Sequence, residues 1–431
     1  MKISEFETLP APGISSSKNI PGSNICLVLL PVLFLLPPFW SLLLVGLFIR
    51  KYHLEGSTAA TALLAAAAAF CMIYITPIWD NIAHFGVWNT YTYYNVTSEY
   101  SEVWSIVSWY EKAKILMIEY LGEDVPYMYF VFMVYFFVVF VLYRFAYHQA
   151  PEDTNGCFLA IIASTGFFPL FGYSRNAMSL LLVCLPILCS KHKLLWGILC
   201  IWLACKFHDS SLIFAPVLLL YFLLEKKKIS CDCGFYLLFV GTVVAVVNLL
   251  PQAFTLLGGL LPIEKITKYL TREGWFLYGS DYIYIPVGFA WILFLIVNIF
   301  RYHKDIKNNY LLAIFLFSSA LYLASLIGGQ YTLRIRFEFI TVWVGMLLIY
   351  PVTRFRFSLP GMRLFKTALC ISIAGYIVLA GKPIFYEPWF EDQELCRTIC
   401  KRIFYYPSWM LLDVNSYGFK NDIMETSTWV K

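Results

Sequence analysis

LLWGILCIWLACKFHDSSLIFAPVLLLYFLL, residues 194–224, is the stretch on which the fold turns. It is apolar from end to end except for a polar centre around Lys206, His208 and Asp209. As one long helix it would carry those three groups to the middle of a bilayer, where ionisable side chains are expensive. As two short helices it leaves them at a turn, where Asp209, Ser210 and Ser211 supply helix N-cap chemistry. The stretch therefore predicts a hairpin of 194–205 and 210–224 with His208 at its apex.

The rest of the chain has the same character. Of 431 residues, 60% are hydrophobic and only 14% are charged, against about a quarter charged in a soluble domain. Several charge-free runs approach the ~20 residues that cross a bilayer. A soluble enzyme, a nucleic-acid binder and a disordered protein are excluded. The net charge of +5 is scattered among short loops and forms no basic patch. The expected fold class is all-α: a polytopic integral membrane protein of about 12 transmembrane helices with outer interfacial helices. Candidate spans are 25–49, 58–78, 127–143, 157–171, 176–190, 194–205, 210–224, 234–250, 282–300, 310–327, 337–350 and 364–380. Residues 1–24, rich in Ser, Pro and Gly, read as a disordered N-terminal tail, 25–380 as the membrane domain, and 381–431 as an extracytoplasmic amphipathic tail. Cys396 and Cys400 stand at helical spacing in that tail.

Charge distribution tests the hairpin. Alternate loops carry Arg50-Lys51, Arg144, Lys191 and Lys193, Lys226–Lys228, Arg301 with Lys304 and Lys307, and Arg354, Arg356 and Arg363. All fall on one side only if 194–224 reverses direction, and the positive-inside rule then places both termini outside. The opposite side holds a long acidic loop at 79–126, a second loop at 251–281, and short turns at 172–175, 206–209 and 328–336. Within the first loop, SWYEKAKILMIEYL (108–121) has a partly helical apolar pattern suited to the membrane interface.

The outer turns concentrate the candidate chemistry. FGYSRNAM (171–178) puts Arg175 at the start of a span, KFHDSSL (206–212) puts His208 there, and QYTLRIRFEF (330–339) puts Arg334 and Arg336 there. Guanidinium groups give phosphate bidentate donors and stay charged when partly desolvated. Taken singly, each Arg reads as a snorkelling anchor and His208 as a packing residue; three cationic turns on one face read as an anion site. No phosphate-binding glycine loop, nucleophile elbow or helical zinc motif is present in the sequence.

At these residues the chain resembles the EpsG family of bacterial exopolysaccharide proteins, relatives of the Wzy O-antigen and capsule polymerases. Tyr173, Arg175 and Ala177 match its aromatic-Arg turn, and Phe207, His208, Ser210, Ser211 and Leu212 match its F-H-x-S element. Asp80 and Glu111 correspond to its loop acids, and Arg334-x-Arg336-Phe337 to a looser later element. The lead-in Ile78-Trp79-Asp80 departs from the family pattern, as does His84 in place of an aromatic.

The resemblance implies a glycosyltransferase of the bacterial cytoplasmic (inner) membrane. It would polymerise undecaprenyl-diphosphate-linked glycan repeat units on the outer face during capsule, exopolysaccharide or O-antigen biosynthesis. It would need no cofactor and no metal, since Arg175, Arg334 and Arg336 would hold the diphosphate. His208, Asp80 or Glu111 would serve as base. The lipid-linked oligosaccharide and the bilayer are the implied partners, with a flippase and a chain-length regulator beside them, and no nucleic acid. Two rival readings are a transferase using a polyprenyl-phosphate sugar donor, which would lean on Asp80, and a lipid-linked oligosaccharide flippase. Flipping calls for cationic residues buried mid-span, whereas these charges sit at span ends.

Overall fold

The computed structural model describes residues 22–74, 108–122, 127–165, 174–189, 191–229, 232–257, 281–327 and 331–354, together with Phe404, Tyr405, Pro407 and Ser408. Among them 89% are helical, in thirteen α-helices with no strand. The all-α expectation therefore holds. Among the described residues, two helices, over Tyr129–Gln149 and Asn309–Ile327, are long and apolar enough to cross a membrane.

The first expected span, 25–49, is two helices, α1 (Gly22–Leu35) and α2 (Pro38–Lys51). Pro37 and Pro38 have no backbone N–H and end the first helix. Helix α1 already includes Gly22 to Asn24, which the sequence placed in the disordered tail. Both helices run along α3 (Thr58–Tyr74), with Phe34 edge-on to Phe70 and Gly46 facing Leu64. At the break, the Leu36 carbonyl accepts from the backbone N–H and hydroxyl of Ser408, each at 3.1 Å. The Trp40 indole donates to the Phe404 carbonyl at 3.0 Å. The described part of the C-terminal tail thus docks against the α1–α2 kink.

Next come α4 (Trp109–Leu121), α5 (Tyr127–Gln149), α6 (Thr154–Thr165) and α7 (Ser174–Cys184). The predicted hairpin is α8 (Lys193–Phe207) and α9 (Pro216–Glu225), joined by a 3₁₀ turn, Asp209–Phe214. Gly197 of α8 lies so close to Leu218 of α9 that a Cβ at 197 would collide with it. The chain therefore reverses around His208. The first turn of the second helix lies beyond the expected 209–211 position. Helix α9 starts at Pro216, whose missing N–H needs no partner in a first turn, and its N-cap Ala215 makes no side-chain bond.

Helices α10 (Cys233–Leu257), α11 (Asp281–Tyr302), α12 (Asn309–Ile327) and α13 (Tyr331–Arg354) complete the bundle. Helix α12 is buried on every face from Tyr310 to Tyr322, with α9, α10 and α13 around it. An all-round apolar helix belongs at the middle of a bundle. Its Ser318 and Ser319 hydroxyls donate back to the Phe315 and Leu316 carbonyls, and Tyr236 and Thr341 reach them from α10 and α13.

The outer helices turn apolar side chains outward. On α8, Leu194, Leu195, Ile198, Leu199 and Trp202 are exposed, while Gly197, Cys200, Ile201 and Ala204 are buried. On α10, Leu238 is 73% exposed. Contiguous apolar faces of this kind are rare on proteins surrounded by water. Lipid tails cover them at no such cost, and the apolar helices mark a membrane protein.

Candidate functional site

One helical element that is not a span organises the site. The Ser108 hydroxyl accepts from the Glu111 N–H at 3.4 Å and caps α4. Gly122, at φ +96°, ends it in a conformation that L side chains rarely adopt. Trp109 packs edge-on against Trp202 and Phe207 of α8, with ring centres 6.0 and 6.2 Å apart. Tyr110 does the same with Phe130 of α5 at 5.0 Å. Helix α4 is therefore clamped between α5 and the hairpin.

Its buried face carries Tyr110, Lys114, Ile115, Met117 and Ile118. Lys114 is 0% exposed. Its Nζ lies 2.6 Å from Glu111 Oε2 and 5.6 Å from the Tyr110 ring centre. Burial pushes the Lys114 ammonium down from its ordinary pKa; Glu111 pulls it back up by charge and hydrogen bond, and the Arg175 charge lowers it again. Lys114 is the residue that sequence reasoning missed. Its signal was its spacing: residues 110, 114, 115 and 118 share one helical face, so a lysine there points into the apolar side.

Arg175 sits in the first turn of α7, where the helix dipole is positive and a cation gains nothing. The two cations lie within electrostatic reach of each other, one of them at a helix N-terminus, and Glu111 pairs with Lys114. That excess of positive potential suits an anion. Among the described residues, Arg175 Nε is buried without a hydrogen-bond partner.

The hairpin apex joins the same place. His208 is extended, with φ −153° and ψ 110°. Its N–H donates to the Ala204 carbonyl, and its carbonyl accepts from the Ser211 N–H. The apex turn packs against α7 and, through Phe214, against Phe337 in α13 at 6.2 Å. That contact brings the first turns of α13, whose backbone includes Arg334 and Arg336, beside the apex. The Glu338 carboxylate fills the space that a Cβ at Gly288 of α11 would take.

Glu111, Arg175, His208 and the helix turns bearing Arg334 and Arg336 are thus brought to one end of the bundle. Asp80 lies outside the described residues, as do Cys396 and Cys400. Among the described residues no group of three or more His, Cys, Asp or Glu could hold a metal ion.

The basic connections gather at the opposite end. Arg144 Nη1 donates to the Gly56 carbonyl at 3.1 Å, beyond Arg50 and Lys51. Tyr350 donates to Asp153 Oδ2, and Asn309 to Glu225 Oε2 beside Lys226 to Lys228. The two ends of the bundle differ in kind: one carries scattered exposed lysines and arginines, the other a buried ion pair, an arginine and a histidine.

No curated protein and no solved structure matches the chain. The family model of the EpsG family matches residues 115–382. That match begins inside α4 and takes in Arg175, His208, Arg334 and Arg336, but not Glu111 or Asp80. It covers well over half of the sequence, and the chain belongs to the EpsG family.

Proposed function

We propose that this EpsG-family protein is a membrane polysaccharide polymerase that takes lipid-diphosphate-linked glycan units at the end of the bundle built by α4, α7, the hairpin apex and the start of α13. The family points to a polysaccharide polymerase-like function. One structural observation carries the finer reading: Arg175 stands in the first turn of α7 beside the Lys114–Glu111 pair, its Nε buried and without a hydrogen-bond partner among the described residues, away from the basic connections.

In this reading Arg175, with Arg334 and Arg336, holds the diphosphate. An acceptor sugar hydroxyl attacks the anomeric carbon of the growing chain. The bond from that carbon to the phosphate oxygen breaks, and the lipid diphosphate leaves. Fixed guanidinium charge stabilises the negative charge gathering on the leaving oxygen. The acceptor proton passes to His208, Glu111 or Asp80. Lys114 holds the Glu111 carboxylate in place. About twelve helices cross the bacterial cytoplasmic membrane, and the positive-inside rule turns the basic end to the cytoplasm and the site to the outer face. Undecaprenyl diphosphate is the carrier, a flippase delivers the unit, and a chain-length regulator acts beside the enzyme.

Purified protein in lipid nanodiscs, given a defined undecaprenyl-diphosphate repeat unit, is expected to produce a ladder of lengthened glycans. Addition of a single sugar from a polyprenyl-phosphate donor, with no ladder, would make it a transferase of the rival kind. No product from either donor would favour the flippase.

A further inference from the structure

Two buried polar atoms on the elements around Arg175 lack a partner among the described residues. Asn176 is 8% exposed and Ser211 is 1% exposed. Among the described residues, Asn176 Oδ1 and Ser211 Oγ make no hydrogen bond. Buried polar atoms are nearly always paired, and each that is not calls for an explanation. These two come from segments distant in sequence that the fold brings together. The Tyr310 hydroxyl donates to the Val183 carbonyl near the end of α7, and the Tyr310 ring also meets Gly197 near the start of α8. The end of α7 and the start of α8 therefore share one level. The turn after α8, which packs on α7, must then meet the first turns of α7, where Asn176 follows Arg175.

The chemistry of the orphan atoms selects a ligand. Arg175 Nε–H can only donate, Asn176 Oδ1 can only accept, and the Ser211 hydroxyl does either. An ionised diphosphate offers acceptors alone, so it pairs with Arg175 and cannot pair with Asn176. A sugar hydroxyl both donates and accepts, and it meets Asn176 and Ser211 together. We infer that Asn176 and Ser211 form a subsite for a hydroxyl of the sugar carried by the lipid diphosphate that Arg175 holds. The inference rests on the lipid-diphosphate reading and adds to it the means of telling a glycosylated carrier from a spent one. A site built to hydrogen-bond a hydroxyl strongly rejects a ligand that lacks it. Product release follows from the same contrast: once the glycan is transferred, the bare diphosphate loses these two bonds.

The test is binding of two probes, undecaprenyl diphosphate and the same lipid bearing one repeat unit, to the full chain in nanodiscs. Wild type should prefer the glycosylated probe. Asn176→Leu and Ser211→Ala should each reduce that preference about tenfold while leaving affinity for the bare lipid unchanged. Neither variant should lower the thermal midpoint of the ligand-free protein, because replacing an unpaired buried polar group with an apolar one is neutral or stabilising. If Asn176→Leu fails to fold, Ser211→Ala decides alone. A preference unchanged in the folded variants overturns the subsite and leaves the lipid-diphosphate reading intact. If wild type binds neither probe, that reading fails instead.

Discussion

Arg175→Ala should cut chain extension by about 10²–10³-fold, the loss typical when a fixed donor to developing negative charge is removed. The residue stands in the first turn of α7, within electrostatic reach of Lys114. Neither position helps the fold, because a cation there opposes both the helix dipole and a second cation. Its removal should therefore leave the thermal midpoint unchanged or raised while the ladder collapses. Arg175→Lys keeps the charge but loses the planar fork, and should recover only part of the rate. The ladder formed at fixed repeat-unit concentration, with unfolding of the same samples, reads both quantities. Activity within a few-fold of wild type would reduce Arg175 to an anchor at the end of a helix.

Lys114→Met should be the more disruptive change. Lys114 Nζ sits 2.6 Å from Glu111 Oε2 on the covered face of α4. Removing one partner of a buried ion pair leaves the other charge uncompensated, at a cost of about 3 kcal/mol. Extension should fall with stability. The double variant Lys114→Met with Glu111→Gln removes both charges, and such replacements are often neutral for folding. Stability should return in the double variant; extension that stays lost then assigns the base to the Glu111 carboxylate, and extension that returns assigns it to His208 or Asp80. Recovery of both would make the pair purely structural.

The hairpin was legible because three polar groups interrupt an otherwise apolar run, and two physical arguments, burial cost and loop charge, agreed on where the chain reverses. The break between α1 and α2 was written in Pro37-Pro38, yet a window judged by apolarity alone passes over it: proline is apolar, and its fault is the missing N–H. Lys114 was hidden by the opposite error. Read as one charge in an acidic loop it looks solvated; read by helical spacing it falls on the face of Tyr110 and Ile118. Arg175 and His208 could be picked out singly, from cationic turns at helix ends. Their meeting with the start of α13 could not, because it depends on Phe214 packing against Phe337, a contact between distant segments that no local pattern encodes.

The central claim is that one end of the bundle binds a lipid diphosphate, and photo-crosslinking tests it most directly. A polyprenyl diphosphate with a photoreactive group next to the phosphates, activated with the protein in nanodiscs and mapped by peptide mass spectrometry, should label α4, the first turns of α7 and α13, and the turn at 209–214. Excess undecaprenyl diphosphate should compete the labelling away. Competable labelling instead at Arg50–Lys51, Arg144 or Lys226–Lys228 would contradict the account, because it would put the anion at the basic end.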